Sequence, residues 1–165
     1  MSGTLPPIIS PILDKVRRKI RARDVPLDFW QIESGPKILD GFMDLASQLM
    51  MSDIEESRVP HGYILLAHLF SWEADCQFDG WGAFGNIETT EFDRLCRYFE
   101  EVDLAQEARS LRHQMSVYKE DPDNAEALVA AAQLYSHALS GDLDRLEYLT
   151  QYFCDNANRL LYTDA

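Results

Sequence analysis

Apolar residues recur every three or four positions along most of the chain, which is the spacing of one face of an α-helix. Ser10 can cap a first helix, which should end at the Val25-Pro26 pair because the residue before proline avoids helical geometry. A short helical or irregular piece at 27–33 and a second clear helix at 37–51 are predicted next. The pattern is therefore helical from the start of the chain.

The segment from residue 61 to about residue 75 is apolar on nearly all sides, as expected of a helix at the centre of a bundle. The next stretch, 77–86, interleaves three glycines, Gly80 among them, with aromatic residues that include Phe78 and Trp81. It is too rich in glycine for a plain helix and too aromatic for a solvated linker. We predict that it packs against the rest of the protein.

Four more helices are predicted in the second half of the chain, at residues 91–100, 104–118, 124–139 and 143–161. Together these elements predict an all-α fold, a single-domain bundle of about seven or eight helices. The domain would cover residues 10–162, after an extended lead at 1–9. Glycine and proline do not recur at a fixed period, which argues against a helical-repeat array.

The charge balance narrows the possible partners. The chain has 15 Lys and Arg against 28 Asp and Glu, a formal net charge of -13. Such a chain repels phosphate backbones, so a basic protein is a better partner than nucleic acid. The three cysteines are widely spaced, which suits reduced thiols. Without a signal peptide or a membrane-length apolar run, the expected location is the cytoplasm, with no membrane partner.

The carboxylates are grouped into clusters, which makes the acidic surface the main binding candidate. Carboxylates three or four residues apart on a helix have Cβ atoms about 5 to 6 Å apart, a spacing that can imitate a row of phosphates. The candidate partner-binding residues are Asp53, Glu55, Glu56, Glu88, Glu91, Asp93, Glu100, Glu101, Asp103, Glu120, Asp121, Asp123, Glu126, Asp142, Asp144 and Glu147.

Residue patterns typical of catalysis or cofactor binding are not found in the sequence. His61 and His68 are seven residues apart, which separates them by roughly 10 Å along a helix axis, too far for one metal ion. The cysteines have no signature of a nucleophile, and the glycines lack the context of a phosphate-binding loop. We therefore expect a protein that is not an enzyme and that needs no cofactor or metal.

The glycine-rich and aromatic stretch also carries a resemblance to a known family. With the final helix, which starts at Leu143-Asp144 and is rich in tyrosine, it resembles the signature of a bacterial family named for an acidic DNA-mimic protein. Asp79-Gly80-Trp81 stands where Gly-Gly-Phe is usual in that family, and the similarity covers roughly residues 62–162. The residues that match its structural motif are Glu73, Asp79, Gly80, Trp81, Phe84 and Asn86.

The resemblance implies an all-helical fold. In the characterised member of the family, a homodimer places its acidic surface on the DNA-binding face of a helix-turn-helix repressor, which would mean a role in transcription regulation. The motif concerns packing rather than the mimic surface, so it assigns a partner-binding role to no individual acidic residue.

Three functions follow as hypotheses. In the leading one, acidic helix faces bind a basic protein surface and act as a DNA mimic on a transcription factor or another nucleic-acid-binding protein. The first alternative is an immunity or antitoxin-like inhibitor of a toxic enzyme. The second is a ligand-binding module around residues 78–84, with an apolar pocket and polar groups such as His68, Glu73 and Asp79.

Overall fold

The periodic apolar segments form helices in the computed structural model, which describes residues 3–22, 24–32, 36–135, 139 and 142–163, without the side chain of Asp142. Short 3-10 helices lie at Phe29–Gln31, Glu56–Arg58 and Gly80–Gly82. The α-helices in this part of the chain are α1 (Ser10–Lys19), α2 (Pro36–Met50), α3 (His61–Asp79), α4 (Ala83–Asn86), α5 (Thr89–Glu101), α6 (Ala105–Glu120), α7 (Ala125–Gln133), α8 (Asp142–Asp155) and α9 (Ala157–Leu160).

The predicted all-α fold class is confirmed. Seven of the described α-helices have nine residues or more, and two are single turns. The β-pairing seen among the described residues is one isolated antiparallel bridge between Thr4 and Thr163. None of the described helices is both long and apolar enough to cross a membrane. The predicted limits of the lead and of the domain stay predictions.

The chain divides into two compact units, whose boundaries fall within α3 and α8. The terminal unit comprises Met1–Ser71 with Leu146–Ala165. Its core is a cluster of buried aromatic rings centred on Phe42, whose ring centroid lies 5.2 to 6.1 Å from those of four other rings, Phe29, Trp30, Phe70 and Phe153. Rings at these separations pack favourably in tilted or edge-on arrangements.

Polar contacts connect distant parts of the terminal unit. The Tyr162 hydroxyl donates to Asp28 Oδ2 over 2.6 Å and accepts from Trp30 Nε1 over 3.2 Å. Asp44, on α2, is a buried carboxylate that pairs with the ammonium of Lys19 on α1. Each contact gives a polar group in or near the core a hydrogen-bond partner, although Asp44 Oδ2 is buried without one among the described residues.

The middle unit comprises Trp72–Arg145. Helix α6 packs against both α5 and α7, and the connections on either side of it are only three and four residues long. Such short connections make neighbouring helices antiparallel. The beginning of α5, the end of α6 and the beginning of α7 therefore meet at one end of this unit.

Two predicted helix limits near the N-terminus are corrected. α1 ends at Lys19, well before the Val25-Pro26 pair, because Arg21 takes a left-handed conformation with φ 57°. The Ala22 N–H then donates to the Arg17 carbonyl over 2.9 Å, a hydrogen bond that closes the helix end. The predicted cap at Ser10 is also wrong, since Ser10 is the first helical residue and Ile9 occupies the N-cap position.

The glycine-rich stretch is more helical than predicted. Helix α3 continues to Asp79, and a 3-10 turn then leads into α4. Gly80, with φ +55°, supplies the left-handed conformation at the junction, which glycine adopts without a steric penalty. Packing is observed for Phe84, which is buried, but Phe78 is 91% exposed, so the packing prediction is wrong at that residue.

The later helix limits also differ from those predicted. α5 begins at Thr89, two residues before the predicted start at residue 91, and its N-cap is Glu88. α7 ends at Gln133, and the rest of the predicted segment, apart from Leu134, Tyr135 and Leu139, lies outside the described residues. The single helix predicted to reach residue 161 is interrupted at Asn156, whose side-chain amide donates to the Tyr152 carbonyl over 2.9 Å.

Candidate functional site

Most of the net charge belongs to the middle unit. It holds 16 Asp and Glu against 6 Lys and Arg, a formal charge of -10, whereas the terminal unit has 12 against 9. The acidity is therefore concentrated in one part of the protein. An evenly acidic surface, such as solubility alone would produce, would divide the charge more equally between the units.

Within the middle unit, the fold brings several of the candidate carboxylates to one end. Asp93 of α5 and Lys119 of α6 line the same shallow depression, which confirms that the start of α5 lies beside the end of α6. The start of α7 follows after four residues. We call this region the acidic end, and its carboxylates are Glu88, Glu91, Asp93, Glu120, Asp121, Asp123 and Glu126.

The carboxylates of the acidic end are open to solvent. All are exposed except Glu91, which is half-buried with its carboxylate 3.9 Å from Arg94. Asp121 Oδ1 accepts the backbone N–H of Asp123 over 3.1 Å, which fixes the turn between α6 and α7. The acidic end is therefore a dense and accessible group of negative charges on helix ends and a short turn.

The other predicted acidic residues lie elsewhere. Glu100 and Glu101, with Asp103, lie where α5 turns into α6, at the opposite end of that helix pair, and Glu100 is 2.6 Å from Arg112. Asp144 is half-buried, and the side chain of Asp142 is outside the described part. Asp53, Glu55, Glu56 and Glu147 are exposed on the terminal unit. Within the middle unit, the described candidates therefore lie at both ends of the α5–α6 pair rather than on one surface.

Some of these carboxylates also stabilise helices. Glu91 and Glu126 lie in the first turns of α5 and α7, and Glu107, which is not among the candidates, lies in the first turn of α6. A negative charge at a helix N-terminus interacts favourably with the helix dipole and stabilises the helix by about 0.3 to 1 kcal/mol. Part of the acidic sequence pattern therefore supports the fold directly.

A buried ion pair lies at the family-like motif. Glu73 is fully buried, and both of its carboxylate oxygens accept from the guanidinium of Arg145, over 2.7 Å from Nε and 3.1 Å from Nη2. Two parallel charge-assisted hydrogen bonds compensate much of the desolvation cost of this carboxylate. Glu73 therefore has a structural role in the middle unit.

The remaining motif residues build the turn after α3 and the aromatic core of the unit. Asp79 accepts from the side-chain amide of Asn86 over 2.8 Å, which closes the turn that Gly80 begins. The Phe84 ring lies 5.3 to 6.1 Å from the rings of Trp72, Trp81, Phe92 and Tyr118. These residues thus pack the aromatic core of the middle unit and close the turn after α3.

A cavity of about 320 Å³ lies beside this motif. Trp81 and Phe84 form one side of it, while Glu107, Ser110 and Gln114 approach from α6 and Ala132 from α7. Arg145 also lines the cavity, so the buried ion pair borders it. The site has an aromatic wall with a few polar groups, an arrangement common in small-molecule sites.

Several residues that line this cavity were not predicted from the sequence. Arg145 follows Glu73 by 72 residues, and Ser110 and Gln114 are linked to each other by a 2.8 Å hydrogen bond on α6. Of the polar groups that the sequence suggested for a pocket, Glu73 contributes only through Arg145, and Asp79 is not among the lining residues. Helical spacing on α6 could have grouped Glu107 with Ser110 and Gln114, but no sequence signal joins them to Trp81.

No group of three or more His, Cys, Asp or Glu within the described ranges is arranged to hold a metal ion. Cys96 is fully buried, and burial raises the pKa of its thiol to about 11, against the opposing effect of the Arg112 charge. Burial also raises the pKa of the Cys154 thiol. These two cysteines are therefore poor nucleophiles in the folded protein.

We predict that Cys96 resists alkylation at about pH 8. A pKa near 11 keeps the thiol protonated, whereas an unfolded thiol ionises near 8.5. The rate with iodoacetamide, followed by peptide mass spectrometry, should be about a hundredfold lower in the native protein than in denaturing urea. Equal alkylation rates in the native and the unfolded protein would contradict the prediction.

The raised pKa of Cys96 also links stability to pH. Any stability that this thiol contributes is complete below about pH 8.5 and is lost as the pH rises towards 11.

Neither a scan against protein-family models nor searches of curated proteins and of solved structures returned a match. The resemblance to the DNA-mimic family stays a prediction.

Proposed function

We propose that this chain is a protein-binding protein whose acidic end occupies the DNA-binding surface of a basic partner. The observation that carries the proposal is the clustering of seven candidate carboxylates around the start of α5, the end of α6 and the turn into α7, at one end of the middle unit. The protein would act by occupying that surface, without catalysis. A partner that binds DNA already presents Lys and Arg side chains spaced for a row of phosphates.

Electrostatics would govern how the two proteins meet. A formal charge of -10 on one unit attracts a basic surface before contact, which raises the association rate at low salt. Because the carboxylates are exposed, mobile ions screen them, and the Debye length is only about 10 Å at 0.1 M salt. The complex should therefore form quickly and weaken as salt is added.

The partner can be sought by capture on the immobilised protein from a lysate of the source cells at low salt. A DNA-binding protein released by moderate salt, and displaced by its own DNA, is the expected result. Recovery of a toxic enzyme whose active site the chain blocks would favour the antitoxin-like alternative. Retention of partners only through salt-insensitive contacts would overturn the proposal.

We predict that three neutralising substitutions at the acidic end weaken this complex. The variant D93N/E120Q/D123N removes three exposed carboxylates with little change of shape. Each exposed charge pair contributes about 0.2 to 1 kcal/mol, so the dissociation constant at low salt should rise about tenfold. Surface plasmon resonance with the captured partner measures both rates, and most of the change should appear in association.

The matched control is D40N/D53N/E55Q, which removes the same residue types and the same charge from exposed positions of the terminal unit. It should bind with nearly the affinity of the unmodified protein. If the two triple variants lose affinity equally, the net charge matters and its place on the protein does not, and the proposal for the acidic end fails.

A further inference from the structure

The cavity of the middle unit has the size and lining of a ligand site. Its volume of about 320 Å³ lies within the range of about 300 to 1,000 Å³ typical of small-molecule pockets. Trp81 and Phe84, whose ring centroids are 6.1 Å apart with their planes 33° from parallel, supply flat apolar surface, and Leu111 adds an aliphatic face. A planar apolar group is thus the body that this cavity fits best.

The aromatic wall is held firmly in place. The Phe84 ring stacks 5.9 Å from Tyr118 and meets Trp72 edge-on at 5.3 Å. Gly85 brings the backbone of α4 so close to the Tyr118 hydroxyl that an added Cβ would lie 2.5 Å from it. A ligand would therefore meet a wall that is largely preformed, which lowers the cost of binding.

The polar groups favour a positive charge on the ligand. Glu107 places a carboxylate on the lining, whereas the guanidinium of Arg145 already makes two hydrogen bonds with the buried carboxylate of Glu73. Gln114 donates to Ser110 Oγ, which leaves the carboxamide oxygen as an acceptor. The unit as a whole carries a formal charge of -10, so an anion would be repelled.

We propose that this cavity binds a small organic cation with an aromatic body, an aryl-alkyl amine. The ring lies against Trp81 and Phe84, where a nearby ammonium also gains from the negative faces of the aromatic rings. The ammonium pairs with Glu107 and donates to Gln114. This site is separate from the acidic end, so it can exist whether or not that end binds a protein.

A series of three probes with the same ring tests the charge preference. Phenethylamine is a cation, 2-phenylethanol is neutral and 3-phenylpropionate is an anion. Isothermal titration calorimetry should show phenethylamine binding about tenfold more tightly than the alcohol, with the anion weakest. Equal affinity for the three probes, tighter binding of the anion, or no heat of binding for any of them would overturn the proposal.

Four variants test whether the amine binds in this cavity. Ala132→Phe fills the cavity and should abolish binding, whereas Ala130→Phe makes the same change on the exposed face of α7 and should not. Glu107→Gln should remove most of the advantage of the amine over the alcohol while leaving the alcohol unchanged. The D93N/E120Q/D123N variant should bind phenethylamine normally, which separates a failure here from a failure at the acidic end. Equal binding by the two phenylalanine variants would place the amine elsewhere.

Cys76 offers a second measurement because it is half-buried and lines the cavity. Saturating phenethylamine should slow the alkylation of Cys76 at least severalfold in peptide mass spectrometry. Cys154, which is half-buried in the terminal unit, is the internal control: its alkylation is slow because burial raises the pKa of the thiol, but its rate should not change when phenethylamine is added. Protection of both cysteines, or of neither, would contradict binding in this cavity.

Discussion

Arg145→Leu should lower the free energy of unfolding by about 3 to 5 kcal/mol, because it leaves the fully buried carboxylate of Glu73 without its guanidinium. The two hydrogen bonds of 2.7 and 3.1 Å disappear, and leucine offers no replacement donor. A urea titration followed by circular dichroism measures the change. The loss should be among the largest that any single charged residue of this chain can cause.

Two controls show that the effect comes from the buried carboxylate. Arg112→Leu breaks an ion pair with Glu100 whose side chains are both 42% exposed, and it should cost less than about 1 kcal/mol. The double variant Glu73→Leu/Arg145→Leu removes both charges and should recover much of the lost stability, since an apolar pair can replace a buried ion pair. A double variant less stable than Arg145→Leu would contradict this explanation.

Phe42→Ala should destabilise the terminal unit by about 3 to 5 kcal/mol. Its ring is fully buried at the centre of four aromatic neighbours, and alanine would leave a cavity that they cannot all move to fill. Urea unfolding again gives the magnitude. Near-ultraviolet circular dichroism should also change, because Trp30 lies 6.1 Å from the lost ring.

Phe78→Ala is the matched control for Phe42→Ala. The Phe78 ring is 91% exposed, so its removal should change the free energy of unfolding by no more than about 0.5 kcal/mol. If both substitutions destabilise the protein equally, Phe78 must be buried in solution, and the packing predicted for it from the sequence would be right after all.

The helices could be predicted because each one repeats a local pattern. In α3, residues 63–70 are buried except for His68, as expected of a segment that is apolar on nearly all sides. Asn124 caps α7 by accepting the Ala127 N–H over 3.0 Å, in agreement with the predicted start of that helix. Signals of this kind depend on residues a few positions apart, and the sequence shows them directly.

Helix ends were predicted less well, since backbone conformation decided several of them. Arg21 ends α1 in a left-handed conformation. Glycine or asparagine usually takes this position, so an arginine there gave no indication of a helix end. At Gly80 the glycine itself indicated a break in the helix. However, α3 continues to Asp79, further than the predicted end near residue 75. At Arg21 the hydrogen bond from the Ala22 N–H to the Arg17 carbonyl closes the helix end, and the spacing of apolar residues does not reveal it.

The candidate sites depend on contacts between distant residues, which explains why the sequence revealed only parts of them. Charge clusters were visible, yet the fold alone shows that Asp93 and Lys119 border the same depression. Likewise, the aromatic stretch was visible, but the polar side of the cavity comes from α6, and Arg145 pairs with a residue 72 positions earlier. One sequence without spatial information cannot select these pairs from many alternatives.

Competition for DNA tests the central claim most directly. Fluorescence anisotropy of labelled DNA bound to the captured partner would be followed while this protein is added at low salt. We predict that the DNA is released in a concentration-dependent way, that D93N/E120Q/D123N requires about ten times more protein, and that D40N/D53N/E55Q behaves like the unmodified chain. A ternary complex in which the DNA stays bound would contradict the claim that the acidic end occupies the DNA-binding surface.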